Sequence, residues 1–134
     1  MITVSVKINA PMEKVWNYFT QPEHIVNWNF ASDDWHSPYA ENDLTVNGIF
    51  KYTMAAKDGS FSFDFEGTYT QIETHKTIAY TMGDGRKVVL HFTKNDNETE
   101  VVELFEPENE NPEEMQQFGW QAILNNFKKY VEQN

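Results

Sequence analysis

The chain has 134 residues, of which 40% are hydrophobic and 15% aromatic, enough for one packed core in the size range of a single domain. Ten basic residues against twenty-one acidic ones leave a formal charge of −11, a mean field that repels polyanions and argues against nucleic acid and anionic membrane surfaces as partners. The absence of cysteine excludes disulfides, thiolate zinc sites and thiol catalysis together.

The N-terminal residues, MITVSVKINAP, lack a basic stretch followed by an apolar run, and no segment approaches the ~20 apolar residues of a membrane span. A cytoplasmic protein without a membrane span is the expectation, and Asn97-Glu98-Thr99 carries no weight as a glycosylation site. Ile2, Val4, Val6 and Ile8 alternate with Thr3, Ser5 and Lys7, a period of two that predicts a half-buried strand. Pro11 suits a first helical position, and Met12, Val15, Trp16 and Phe19 form one stripe of a short amphipathic helix. Thr20-Gln21-Pro22-Glu23 has capping-box spacing, with Thr20 as N-cap, and starts a second short helix through Trp28.

From about Tyr39 to Glu106 the signals predict six strands of an antiparallel meander, broken by Asn47-Gly48, Asp58-Gly59, Asp84-Gly85 and Asn95-Asp96-Asn97. Alternation places Phe50, Tyr52 and Met54 on one face, as it does Phe61, Phe63, Phe65 and Tyr69, and again Ile78, Tyr80 and Met82. For residues 87–93 and 99–106 the parity stays open, because Val88, Val89, Leu90, Val101 and Val102 are apolar on both sides. Beyond an acidic linker, Asn111 as N-cap, Pro112 at the first helical position and Glu113 and Glu114 open a helix that runs to about Glu132, roughly 30 Å at ~1.5 Å per residue. Lys128 and Lys129 complement its dipole. Gly119, in the interior of that helix, costs about 1 kcal/mol relative to Ala, so the position reads either as a close approach or bend over the sheet or as part of a cavity wall.

The segments VSVKINAPMEKVWNYFTQPEHIVNW, GIFKYTMAAKDGSFSFDFEGTYTQIE and FGWQAILNNFKKYVE together resemble the START-like (SRPBCC) superfamily, in its branch similar to the activator of heat-shock-protein-90 ATPase. The resemblance extends over nearly all of residues 1–134 and implies one α+β domain with a helix-grip fold. In that fold a seven-stranded antiparallel sheet wraps around a long C-terminal helix, two short helices follow the first strand, and a hydrophobic pocket lies between. Position by position it implies pocket residues Phe50, Tyr52, Met54, Phe63, Phe65, Tyr69 and Tyr80 from the sheet. From the C-terminal helix it implies Met115, Phe118, Gly119, Ala122 and Ile123, with the two short helices, Trp28 and the loop after it at the mouth. The alternative for each aromatic residue is that it simply fills the core.

Ser32-Asp33-Asp34-Trp35-His36-Ser37-Pro38 gathers the side chains of an active site. In an extended chain His36 and Ser37 face apart while Asp34 and His36 share a side, so the geometry disfavours a contiguous triad and leaves an Asp34–His36 dyad feasible. No nucleophile motif accompanies it, and such stretches are often turns. Trp35 and His36 are accordingly placed on the rim, with residues 35–38 as a lid. His24, His36, His75 and His91 show no metal-ligand spacing, Gly83-Asp84-Gly85-Arg86 is a hairpin turn, and neither metal nor cofactor is expected. The leading expectation is a module that binds a small apolar or amphipathic molecule, as a monomer or weak homodimer. A chaperone ATPase co-activator and an aromatase or cyclase-like enzyme are the alternatives.

Overall fold

In the computed structural model, which describes residues 1–134, the chain opens with β1 (Ile2–Ile8), α1 (Met12–Thr20) and α2 (Pro22–Ile25). Six strands follow: β2 (Trp35–Asn42), β3 (Ile49–Ala56), β4 (Ser62–Glu73), β5 (Thr77–Met82), β6 (Lys87–Asn95) and β7 (Glu98–Phe105). The chain ends in α3 (Glu113–Gln133). All seven strands form one antiparallel sheet in the order β1-β7-β6-β5-β4-β3-β2. The first strand of the chain thus pairs with the last, from Ile2 opposite Phe105 to Ile8 opposite Thr99, which brings the two ends of the strand sequence together beside α3. This is the α+β helix-grip arrangement.

Positive φ occurs at Asn47, Gly59, Gly85 and Asp96, within the turns that the sequence marks. The turn after β4 carries no glycine; there His75 takes φ 65°, with its ring packed edge-on against Trp16 at 5.8 Å. The open parity of the last two strands resolves as Val88, Leu90 and Phe92 inward on β6, and Thr99, Val101, Glu103 and Phe105 inward on β7.

Helix ends depart from expectation. Thr20 closes α1 and donates its hydroxyl to Trp16 O at 2.8 Å, so it does not cap α2. That helix starts after Gln21 without a side-chain cap and ends at Ile25, with residues 26–28 continuing as a turn. Pro11 and Pro112 are the N-cap residues of α1 and α3 rather than their first helical positions, and Asn111 does not cap.

One edge of the sheet would expose a row of backbone groups along β1, a template for unwanted strand pairing. Side chains of α3 occupy it: Gln121 accepts from Ser5 N and donates to Ser5 O, Lys128 donates to Lys7 O at 2.6 Å, and Glu132 accepts from Asn9 N at 2.8 Å. Lys128 therefore serves the sheet edge, and the expected complement to the helix dipole is not formed, because the last turn of α3 holds no basic residue. None of the helices is long and apolar enough to cross a membrane.

Candidate functional site

Between α3 and the inner face of the sheet lies a recess of about 250 Å³, with thirteen of its sixteen lining residues hydrophobic. Period-two alternation delivers Phe50, Tyr52 and Met54 from β3, Phe63, Phe65 and Tyr69 from β4, and Ile78 and Tyr80 from β5 to the same face. Trp28, with Phe19 behind it at 5.2 Å, closes one end; Trp120, Ile123 and Leu124 of α3 form the roof. Phe50 is central to the floor, its ring 4.8–5.5 Å from those of Tyr52, Phe65, Tyr69 and Tyr80. Gly67 of β4 makes room for that ring, since a Cβ there would meet Phe50 Cε2 at 2.5 Å.

Hydrogen bonds fix the mouth. Trp28 donates its indole N–H to Tyr18 O at 2.9 Å, and Asn126 Nδ2 holds Trp28 O at 2.8 Å. Tyr69 donates to Asn42 Oδ1 at 2.6 Å, and Asn42 donates in turn to Thr20 O at 2.7 Å, tying the floor to α1.

Polar groups are few in this lining. Burial pushes the Tyr52 and Tyr80 hydroxyls well above their ordinary range and Tyr69 up to about 12, so all three stay neutral. Glu103 faces the recess from β7 and is 9% exposed; burial pushes its carboxyl up to about 8. Asn29 also lines the recess, and its Nδ2 has no hydrogen-bond partner. Arg86 reaches the lining from the β5–β6 turn, with its Nε bonded to Asp84 Oδ2 at 2.7 Å.

Of the residues that the sequence pointed to, Trp28, Phe50, Tyr52, Met54, Phe63, Phe65, Tyr69, Tyr80 and Ile123 line the recess. Six others do not. Met115 and Phe118 are 60% and 78% exposed; Gly119 has open space where a Cβ would stand, so it neither admits a close approach nor forms a wall. Ala122 lines a separate surface depression with the Phe30–Asp33 segment. The cause is helical phase: at about 100° per residue, the buried stripe of Gln116, Leu124, Phe127 and Val131, continued by Trp120, leaves Phe118 and Ala122 on the far side.

Trp35 packs at the sheet margin, 6.1 Å from Phe61 and 6.0 Å from Phe63. Phe61 itself precedes β4 and is 58% exposed, so it does not join the inner aromatic face. His36 is exposed on β2, while Asp34 accepts from Ser32 Oγ, so no Asp34–His36 dyad is assembled. Ser37 is buried and bonded to Thr53 O at 2.9 Å. The stretch is edge strand β2 and the turn before it, not a lid.

Sequence reasoning missed Phe19, Asn29, Ile78, Arg86, Glu103, Trp120 and Leu124 as lining residues. Trp120 and Leu124 share an i, i+4, i+7 series with Phe127, and Glu103 shares its parity with Val101 and Phe105, but with Phe118 and Val102 apolar on the opposite faces periodicity alone selects neither face.

A family profile described as Activator of Hsp90 ATPase homolog 1-like protein matches residues 9–132. No curated protein matches the chain. Among solved structures, an AHSA1-like protein from Aeromonas hydrophila is 43% identical with a TM-score of 0.90, the match covering 98% of this chain and 92% of that one. A protein from Cytophaga hutchinsonii is 56% identical with a TM-score of 0.85, covering 99% and 92%. A protein from Chromobacterium violaceum, 22% identical with a TM-score of 0.80 and 97% of each chain covered, shares the fold.

Proposed function

The chain belongs to the Activator of Hsp90 ATPase homolog 1-like family, and from that premise we propose that residues 1–134 act as one START-like binding domain that takes a small apolar or amphipathic molecule between α3 and the sheet. The observation that carries this reading is the recess itself: about 250 Å³ with a mostly hydrophobic lining, beside a buried amide that lacks a partner. A fully packed core would fill such a volume, because protein interiors normally leave few voids larger than a water molecule. A single aromatic ring system burying ~150 Å² would gain about 4 kcal/mol at ~25 cal/mol per Å².

Trp28, Phe50, Tyr52, Met54, Phe63, Phe65, Tyr69, Tyr80 and Ile123 are the contacts in this reading. The test is a thermal-shift screen with small apolar and amphipathic compounds: a ligand raises the melting temperature, Phe65→Ala weakens that response and Phe118→Ala preserves it. A screen in which no compound class shifts the transition rejects the reading.

A second reading follows from the family description and from Phe118 and Met115, large apolar side chains left in solvent on the outer face of α3. In it, this face docks on a chaperone ATPase and stimulates it. Stimulation of ATP hydrolysis that Phe118→Ala abolishes supports it; no stimulation at high excess of this protein rejects it. The aromatase or cyclase reading gains no support from Asp34 and His36 as placed.

A further inference from the structure

Glu103 is an unusual residue to find in an apolar recess. Its strand neighbours on the inward face are Val101 and Phe105, and it sits in register with Val4 of β1 on one side and Leu90 of β6 on the other. Burial pushes its carboxyl up, and the neighbouring Tyr80, whose hydroxyl the Glu103 charge would push up further, stays neutral and offers no compensating charge. Such a group is normally paired, because an isolated buried carboxylate is strongly disfavoured.

The titratable and charged side chains that share the recess are Tyr52 on β3, Tyr69 on β4, Tyr80 on β5 and Arg86 in the turn; α3 contributes only Trp120, Ile123 and Leu124. Tyr69 is committed to Asn42, and Arg86 to Asp84 and the Glu106 carbonyl. The Glu103 carboxyl thus faces the empty volume with acceptor capacity that the chain leaves unused.

We propose that Glu103 is the polar anchor of the binding site and that the ligand is a small aryl-alkyl amine, bound as its ammonium with the ring among Phe50, Phe65 and Trp120. This rests on the recess being a ligand site. An ammonium supplies donors and a compensating charge to a carboxyl that has neither. The formal charge of −11 draws cations toward the protein. The volume exceeds the ~150 Å³ of an engineered cavity that admits benzene, so one ring with a short chain fits. Asn29, with its unpartnered Nδ2, offers the same recess a donor for an oxygen on that ring.

Proton balance gives the proposal a signature. With its carboxyl at about 8, Glu103 is mostly protonated near neutrality; taking up an ammonium ionises it and releases one proton to solvent. Affinity for the amine therefore rises by about tenfold per pH unit below that value and levels off above it. A neutral ligand of the same shape shows no such rise.

The experiment titrates the whole protein with tyramine, with its uncharged counterpart 4-ethylphenol and with anionic 3-(4-hydroxyphenyl)propanoate, by calorimetry near pH 6 and near pH 8. Expected near pH 8 is tyramine binding at least about tenfold tighter than 4-ethylphenol, with the anion weakest, and a gap that closes near pH 6. Glu103→Gln should reduce tyramine to the level of 4-ethylphenol and leave 4-ethylphenol within about threefold. If 4-ethylphenol binds as tightly as tyramine near pH 8, the amine assignment is overturned while the pocket stands. If none of the three binds, the amine assignment is overturned, and the thermal-shift screen with other apolar and amphipathic compounds decides the pocket reading separately. The wild-type comparison decides the matter even if the Gln variant folds poorly.

Discussion

Gly67 lies beneath the ring of Phe50, so closely that a Cβ at position 67 would stand 2.5 Å from Cε2 and 2.6 Å from Cζ. The ring cannot retreat easily, because Tyr52, Phe65, Tyr69 and Tyr80 surround it. Gly67→Ala should therefore force Phe50 toward the recess and strain the floor, a destabilisation of about 1–3 kcal/mol typical of overpacking. Urea unfolding measures it as a lowered midpoint. The same variant should bind any recess ligand more weakly, and an unchanged midpoint would mean that the aromatic floor is more yielding than its packing implies.

Gly119 presents the opposite case. Its absent Cβ would meet nothing within 4 Å, so the helix-propensity cost is not offset by a packing gain. Gly119→Ala should stabilise the protein by about 1 kcal/mol, read as a higher urea midpoint with unchanged ligand binding. Destabilisation would show that the helix needs a glycine here for a reason its surroundings do not display.

How far the sequence spoke depends on how local the governing physics is. Strands with one apolar face, such as β1 and β3, were legible because alternation alone sorts Val4 from Ser5 and Tyr52 from Lys51. Asp58-Gly59 and Asp84-Gly85 marked hairpins through backbone freedom, another local property. The β4–β5 turn was not marked, because His75 adopts its positive φ where its ring also packs against Trp16, a contact distant in sequence. On α3 the pair Phe118 and Trp120 cannot both face inward, and only the tertiary placement of the helix selects Trp120, stacked 3.9 Å above Phe105. Glu103 was hidden for a related reason: a carboxylate is ordinarily assigned to solvent, and only the pairing of β7 between β1 and β6 turns it into the recess.

The polar stripe of α3 also has a consequence for stability. Gln121 makes two hydrogen bonds with the Ser5 backbone, at 3.2 Å and 2.9 Å, at an edge where no strand follows. Gln121→Ala should cost about 1–2 kcal/mol, at ~0.5–1.5 kcal/mol for each bond with partial replacement by water. Hydrogen exchange should report faster exchange at the Ser5 amide in particular. If that amide exchanges as in the wild type, α3 does not protect the edge as the geometry requires.

Glu103 makes stability itself pH-dependent, and the sign is opposite to that of an ordinary surface carboxylate. Its folded-state value of about 8 lies above the 4.5 of a free glutamate, so between these values the native state holds a proton that the unfolded chain has lost. Stability contributed by the protonated form is complete below the lower value, declines as pH rises through the window and reaches its minimum above about 8. Glu103→Gln keeps a neutral, similarly shaped side chain and removes the titration. It should change stability little near pH 4 and raise it near pH 9 by about a few kcal/mol, since each pKa unit corresponds to ~1.4 kcal/mol. Denaturant unfolding of both proteins across that range measures the difference. Parallel pH profiles would show that the carboxyl is hydrated in the native state, which would also remove the reason for seeking a cationic partner in the recess.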